Sequence, residues 1–134
     1  MTTIIVIAAV AFIIAGLLAQ RGFSARMSRF FDRRCMGRAW RSRFPDAKKE
    51  EIRGFLEVFV DSFGLSRRKK LSFKPDDNVV DVYRAINPQV GGMDSLECET
   101  LVYECERRYG VDIVAGFSDS TTLGDLFRKV RKSG

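Results

Sequence analysis

"GGMDSLECETLVYECERRYGVDI", residues 91–113, opens on two glycines and an Asp-Ser pair and then runs in helical register. Cys98, Leu101, Val102, Cys105 and Tyr109 fall on one face of that helix, while Glu97, Glu99, Glu104, Glu106 and Arg107 lie off the stripe. Asp94 is a good N-cap, Glu97 stands three residues later where a capping arrangement needs it, and Gly110 suits the C-terminal stop. Ser95 is then expected in the first turn, where unpaired N–H groups and the positive end of the helix dipole favour a phosphate. Gly91 and Gly92 let the backbone turn tightly before it. The residues alone leave two readings open: a plain helix cap, which is the commoner use of Ser and Asp here, and a hydroxyl presented for covalent modification. A catalytic serine is excluded, because the chain has no His to act as base and shows neither a Gly-x-Ser-x-Gly elbow nor a Ser-x-x-Lys motif at this site.

Outward from this helix the pattern stays helical. In "DAKKEEIRGFLEVFVDSFG", residues 46–64, Ile52, Phe55, Leu56, Phe59 and Phe63 form one apolar stripe, and Gly64 stops it. "LSRRKKLSFKPDDNV" reads as a long loop and "VVDVYRAI" as a short helix or turn. After a further loop, "TTLGDLFRKV" has capping-box spacing between Thr122 and Asp125 and an apolar stripe of Leu123, Leu126, Phe127 and Val130. No stretch alternates as a strand. The expected fold is all-α, a small antiparallel bundle of three to four helices over residues 46–134.

Charge divides the chain differently. Residues 1–45 hold eight Arg and one Asp, whereas residues 46–134 hold fifteen Lys or Arg against sixteen Asp or Glu. The basic excess therefore describes what lies near the N-terminal third. "TIIVIAAVAFIIAGLLA", residues 3–19, carries no charge, and residues 1–20 are long enough to cross a bilayer as a helix. No Lys or Arg precedes the apolar run and no small-x-small cleavage site follows it, so a retained anchor is expected rather than a signal peptide.

With the arginines downstream, the positive-inside rule puts the N-terminus outside and the following domain in the cytoplasm of a single-pass inner-membrane protein. "RGFSARMSRFFDRRCMGRAWRSRF", residues 21–44, interleaves Arg26, Arg29, Arg33 and Arg34 with Phe30, Trp40 and other large apolar residues. Residues 21–45 are accordingly expected to lie on anionic lipid headgroups as an amphipathic helix, with lipid preferred over nucleic acid as the partner. Cys35, Cys98 and Cys105 are too few and too scattered for a zinc site. On one helix, Cys98 and Cys105 would stand about 10.5 Å apart, too far to bridge, so they read as buried thiols in a reducing compartment.

Gly92, Asp94, Ser95 and Leu96, the apolar positions Leu101 and Val102, the "YGVDI" that ends the helix and the later "STTLGDLFRKV" together resemble the acyl carrier protein family over residues 46 to about 131. The resemblance implies a carrier without catalysis of its own. Ser95 would receive 4′-phosphopantetheine from coenzyme A through a phosphopantetheinyl transferase, and the thiol of that group would carry an acyl or aminoacyl thioester. Asp94, Leu96 and Gly92 would form the attachment motif. Glu97, Glu99, Glu104 and Glu106 would face acyl-loading and acyl-accepting enzymes, membrane-bound ones included. This sequence departs from the family at Glu99, where an apolar residue is usual, and at Arg107 and Arg108, which dilute the acidic helix. It also departs in its near-neutral domain, in its long connection to Ser95 with the basic run 67–70, and in its anchor. An unmodified carrier-like helical adaptor that docks a protein partner at the membrane is the alternative.

Overall fold

The computed structural model describes residues 1–88 and 96–132. Among them all regular structure is helical: α1 (Thr2–Phe31), α2 (Gly37–Arg43), α3 (Lys49–Ser62), a 3-10 helix (Arg67–Ser72), α4 (Val79–Ile86), α5 (Leu96–Tyr109) and α6 (Leu123–Lys132). The helices read from the sequence stand where the apolar stripes placed them. The segment that reads as a long loop contains the 3-10 helix, started by Ser66, whose Oγ accepts the N–H of Arg68 at 3.3 Å. The Thr122 and Asp125 box forms reciprocally: Thr122 N–H donates to Asp125 Oδ2 at 3.0 Å, and Asp125 N–H donates to Thr122 Oγ1 at 3.2 Å.

The N-terminal third differs from expectation. α1 does not end at the apolar run; it continues unbroken through Phe31, a helix of 30 residues. Its first part is bare, with Ile4, Ile7, Phe12, Ile14 and Leu18 all exposed, and α1 is long and apolar enough to cross a membrane. Its last part belongs to the globular core. Met27 and Phe30 are buried there with Trp40 and Phe44, beside Phe55, Phe59 and Phe127 from α3 and α6. The domain boundary drawn at residue 45 therefore cuts through the core, and residues 21–45 do not form a separate lipid-facing segment. The physical reason is that rings spaced between arginines are buried as well by a neighbouring bundle as by lipid, and here the bundle takes them.

Trp40 shows this most directly. It is 0% exposed, it meets Phe127, Phe44 and Phe55 at ring-centroid distances of 5.6, 6.0 and 6.4 Å, and its Nε1–H donates to the Phe73 carbonyl at 2.8 Å. The indole thus fills a core position with its one polar atom satisfied. It is not at a membrane surface.

Two arginines lock α1 onto the domain. Arg26 Nε donates to the Ala85 carbonyl at 2.8 Å, satisfying an oxygen in the last turn of α4 that has no helical partner. Arg33 forms a two-pronged bond with Asp77, at 2.6 and 2.9 Å, and the Asp77 side chain is only 3% exposed. Lys74 N–H donates to the same carboxylate at 2.8 Å. A buried carboxylate with this many donors is compensated. Because Arg26 meets Ala85 and Arg33 meets Asp77, α1 runs antiparallel to α4. Of the arginines expected on lipid, Arg26 and Arg33 turn to protein, while Arg29 and Arg34 remain exposed.

Candidate functional site

Gly92, Asp94 and Ser95 lie outside the described residues, and α5 begins at Leu96, the residue that follows Ser95. Leu96 is 77% exposed, and Cys98, three residues after Ser95 in the chain, is buried. From Cys98 onward α5 forms one wall of an apolar cleft of about 210 Å³. Cys98, Leu101 and Val102 line one side; Ile113, Val114 and Phe117 line the other. Almost nothing polar faces the space.

The opposite wall is set by the turns after α5. Gly110, at φ 67°, ends the helix in the left-handed region that glycine adopts without strain. Asp112 then accepts the Val114 N–H at 2.9 Å, and Phe117 N–H bonds the Val114 carbonyl at 3.1 Å across a turn whose Gly116 has φ 77°. This arrangement brings Val114 and Phe117 over Val102. Sequence reasoning treated this stretch as a connecting loop and missed both residues. The available signal was the apolar spacing of Ile113, Val114 and Phe117 around glycines.

The four glutamates of α5 are not equivalent. Glu104 holds Arg107 at 2.8 Å and Arg108 at 3.1 Å, and the Arg107 hydrogen bond holds its carboxyl below the usual glutamate range. Its charge is answered within its own helix. Glu99 and Glu106 are exposed and share a shallow cleft with Cys98, Val102, Tyr103 and Val114, so it adjoins the apolar one. Glu97 is half-buried. The outer face of α5 is thus a mixed surface, with exposed Leu96 and Tyr103, and Val114 adjoining, beside two acids that form no ion pair among the described residues.

Cysteine chemistry has no foothold at Cys105, because burial pushes its thiol up to about 11 and leaves almost no thiolate at neutral pH. Cys98 and Cys105 are both buried and unbridged. What the arrangement offers is an apolar space lined by α5 from Cys98 onward, three residues after Ser95 in the chain, with acids and exposed apolar side chains on the adjoining face. Comparison with known protein families, with curated proteins and with solved structures finds no match to this chain.

Proposed function

We propose that this chain is a membrane-tethered acyl-carrier-like protein that presents 4′-phosphopantetheine on Ser95 and performs no catalysis itself. The observation that carries the reading is the apolar cleft of about 210 Å³ lined by α5 from Cys98 onward, a residue that follows the Gly-x-Asp-Ser-Leu motif of residues 92–96 in the sequence. When attached, the prosthetic group supplies a flexible thiol that holds an acyl chain as a thioester. The chain's own residues do the rest. Ser95 provides the attachment oxygen. Cys98, Leu101, Val102, Ile113, Val114 and Phe117 offer the cargo a dry wall. The cleft is smaller than the roughly 300–1,000 Å³ of ordinary small-molecule pockets, which favours a short chain.

On this reading α5 is the face that partner enzymes meet. Glu99 and Glu106 steer basic surfaces toward it, and Leu96, Tyr103 and Val114 supply apolar contact once docked. α1 is the tether, with the N-terminus outside and the domain on the cytoplasmic side, as the arginine distribution favours. Tethering raises the concentration of cargo seen by membrane-bound enzymes. Because α1 passes straight into the core, the tether is stiff and the domain rides close to the bilayer.

The test is transfer of a fluorescent phosphopantetheine from a labelled coenzyme A by a broad-specificity transferase, on the full chain in detergent. Label on the native chain and none on Ser95→Ala supports the carrier. Absence of label, with a second carrier labelled in the same tube, leaves the helical adaptor.

A further inference from the structure

Eight cations among the described residues pair with an Asp or Glu. Arg33, Arg43, Arg67 and Lys70 each bond an Asp or Glu. Arg41, Lys49 and Arg53 do not: all three are exposed, none is in an ion pair among the described residues, and all three line one small cleft between α2 and α3. Its floor is Cys35, Gly37, Ile52 and Leu71. Lys49 and Arg53 stand four apart on α3, and Arg38 stands three before Arg41 on α2, so each helix turns two like charges to one side. Of the acids one turn from Arg53 on α3, Glu57 is held by Lys70 at 2.7 Å, and Glu50 is exposed and forms no ion pair with Arg53 among the described residues. Gathering unanswered cations in this way opposes folding.

We propose that this cleft is a docking site for an acidic protein segment, whose carboxylates take Arg41, Lys49 and Arg53. Size and chemistry select that occupant. The cleft is small, about 90 Å³, which suits a carboxylate and its methylene. None of its lining residues is aromatic, and the nearby rings of Trp40 and Phe44 are buried, so it has no platform on which bases stack.

Height argues against lipid. Cys35 follows the C-terminal end of α1, and Leu71 is two residues from Phe73, whose ring meets Phe30 and Phe31 at 5.8 and 6.1 Å. Both tie the cleft to the Phe31 end of the helix. If α1 crosses the bilayer upright, as the tethered reading on which this step rests has it, that end stands about 16 Å beyond Gln20 at 1.5 Å per residue, past a headgroup layer roughly 5–7 Å deep and past the Debye length of about 8 Å. The site does not depend on Ser95. It gives the domain a second, oppositely charged docking face, on helices other than α5.

The experiment is fluorescence anisotropy of a labelled deca-glutamate peptide with the full chain in nanodiscs of zwitterionic lipid. Saturable binding that weakens at high salt is expected, unchanged in Ser95→Ala. Arg41→Glu with Arg53→Glu should weaken it about tenfold, whereas Arg84→Glu with Lys132→Glu, which removes the same charge elsewhere, should change it less than about twofold. Lys49→Ala, which reverses no charge, should cost about threefold, and Arg41→Lys with Arg53→Lys should retain binding. Equal weakening by both reversed pairs would overturn the proposal, as would the absence of saturable binding. So would cleft-dependent binding of a single-stranded oligonucleotide or of anionic vesicles in place of the peptide.

Discussion

Deleting residues 1–45 should unfold the domain, while deleting residues 1–20 should not. A chain starting at residue 21 keeps Met27, Phe30, Trp40 and Phe44, all buried in the shared core. A chain starting at residue 46 loses all four. Removing a buried aromatic side chain costs about 3–5 kcal/mol, and removing a buried Met about 2–5 kcal/mol. Losing Arg33 also leaves the Asp77 carboxylate, whose side chain is 3% exposed, without its cation and with the Lys74 N–H as donor, at a further cost of about 3 kcal/mol. The aromatic losses alone reach about 9–15 kcal/mol, and contacting residues do not add fully. Even half that sum is comparable to the whole stability of a small domain, about 5–15 kcal/mol. The assay is urea unfolding followed by far-ultraviolet circular dichroism. The longer chain should give one cooperative transition; the shorter should show low helicity with no transition. A cooperative transition in the 46–134 chain at the same midpoint as the longer chain would refute the reasoning, because the basic segment would then be an appendage rather than core.

Three further outcomes follow from single contacts. Asp77→Ala removes the carboxylate that accepts from Arg33 and from the Lys74 N–H, leaving Arg33 only the Ser72 carbonyl at 3.3 Å, and should lower stability by about 3 kcal/mol in the same denaturation experiment. Gly124→Ala should destabilise by about 1–3 kcal/mol, because an added Cβ would meet the Pro75 carbonyl oxygen at 3.1 Å while the Gly124 N–H is already bonded to that oxygen; an unchanged thermal midpoint would mean that the α6 start can shift. Acid should weaken the fold. Glu57, Asp61 and Asp125 are held below ordinary carboxylate values, first by hydrogen bonds from Lys70, Arg67 and the Thr122 backbone respectively. Their stabilisation is therefore present above the ordinary 4.5 and 3.8 and is lost as pH falls through the lower folded-state values. Urea midpoints should be level from pH 7 to about 5 and decline below that.

The helices of the C-terminal part were legible because each buries one face of an amphipathic pattern. Phe55 and Phe59 on α3, and Leu126 and Phe127 on α6, announce themselves by spacing alone. The capping box at Thr122 is local, and local chemistry shows in sequence. The fate of residues 21–44 was not legible, since Met27, Phe30 and Trp40 among arginines suit a lipid surface and a protein core equally. Only tertiary contacts decide between them, such as Arg33 with Asp77, 44 residues away. The same holds for the candidate site. The motif and α5 could be read, but Val114 and Phe117 complete the cleft through a turn that carries no helical or strand period. Glu104 was offered as a partner-facing acid, although Arg107 and Arg108 at three and four residues' distance already signalled its capture.

The most direct test of the carrier reading is the intact mass of the full chain purified from its own cells. The account predicts a species heavier by one phosphopantetheinyl group, alone or acylated, that disappears in Ser95→Ala. A chain found only at its unmodified mass, while another carrier from the same cells is found modified, would contradict it.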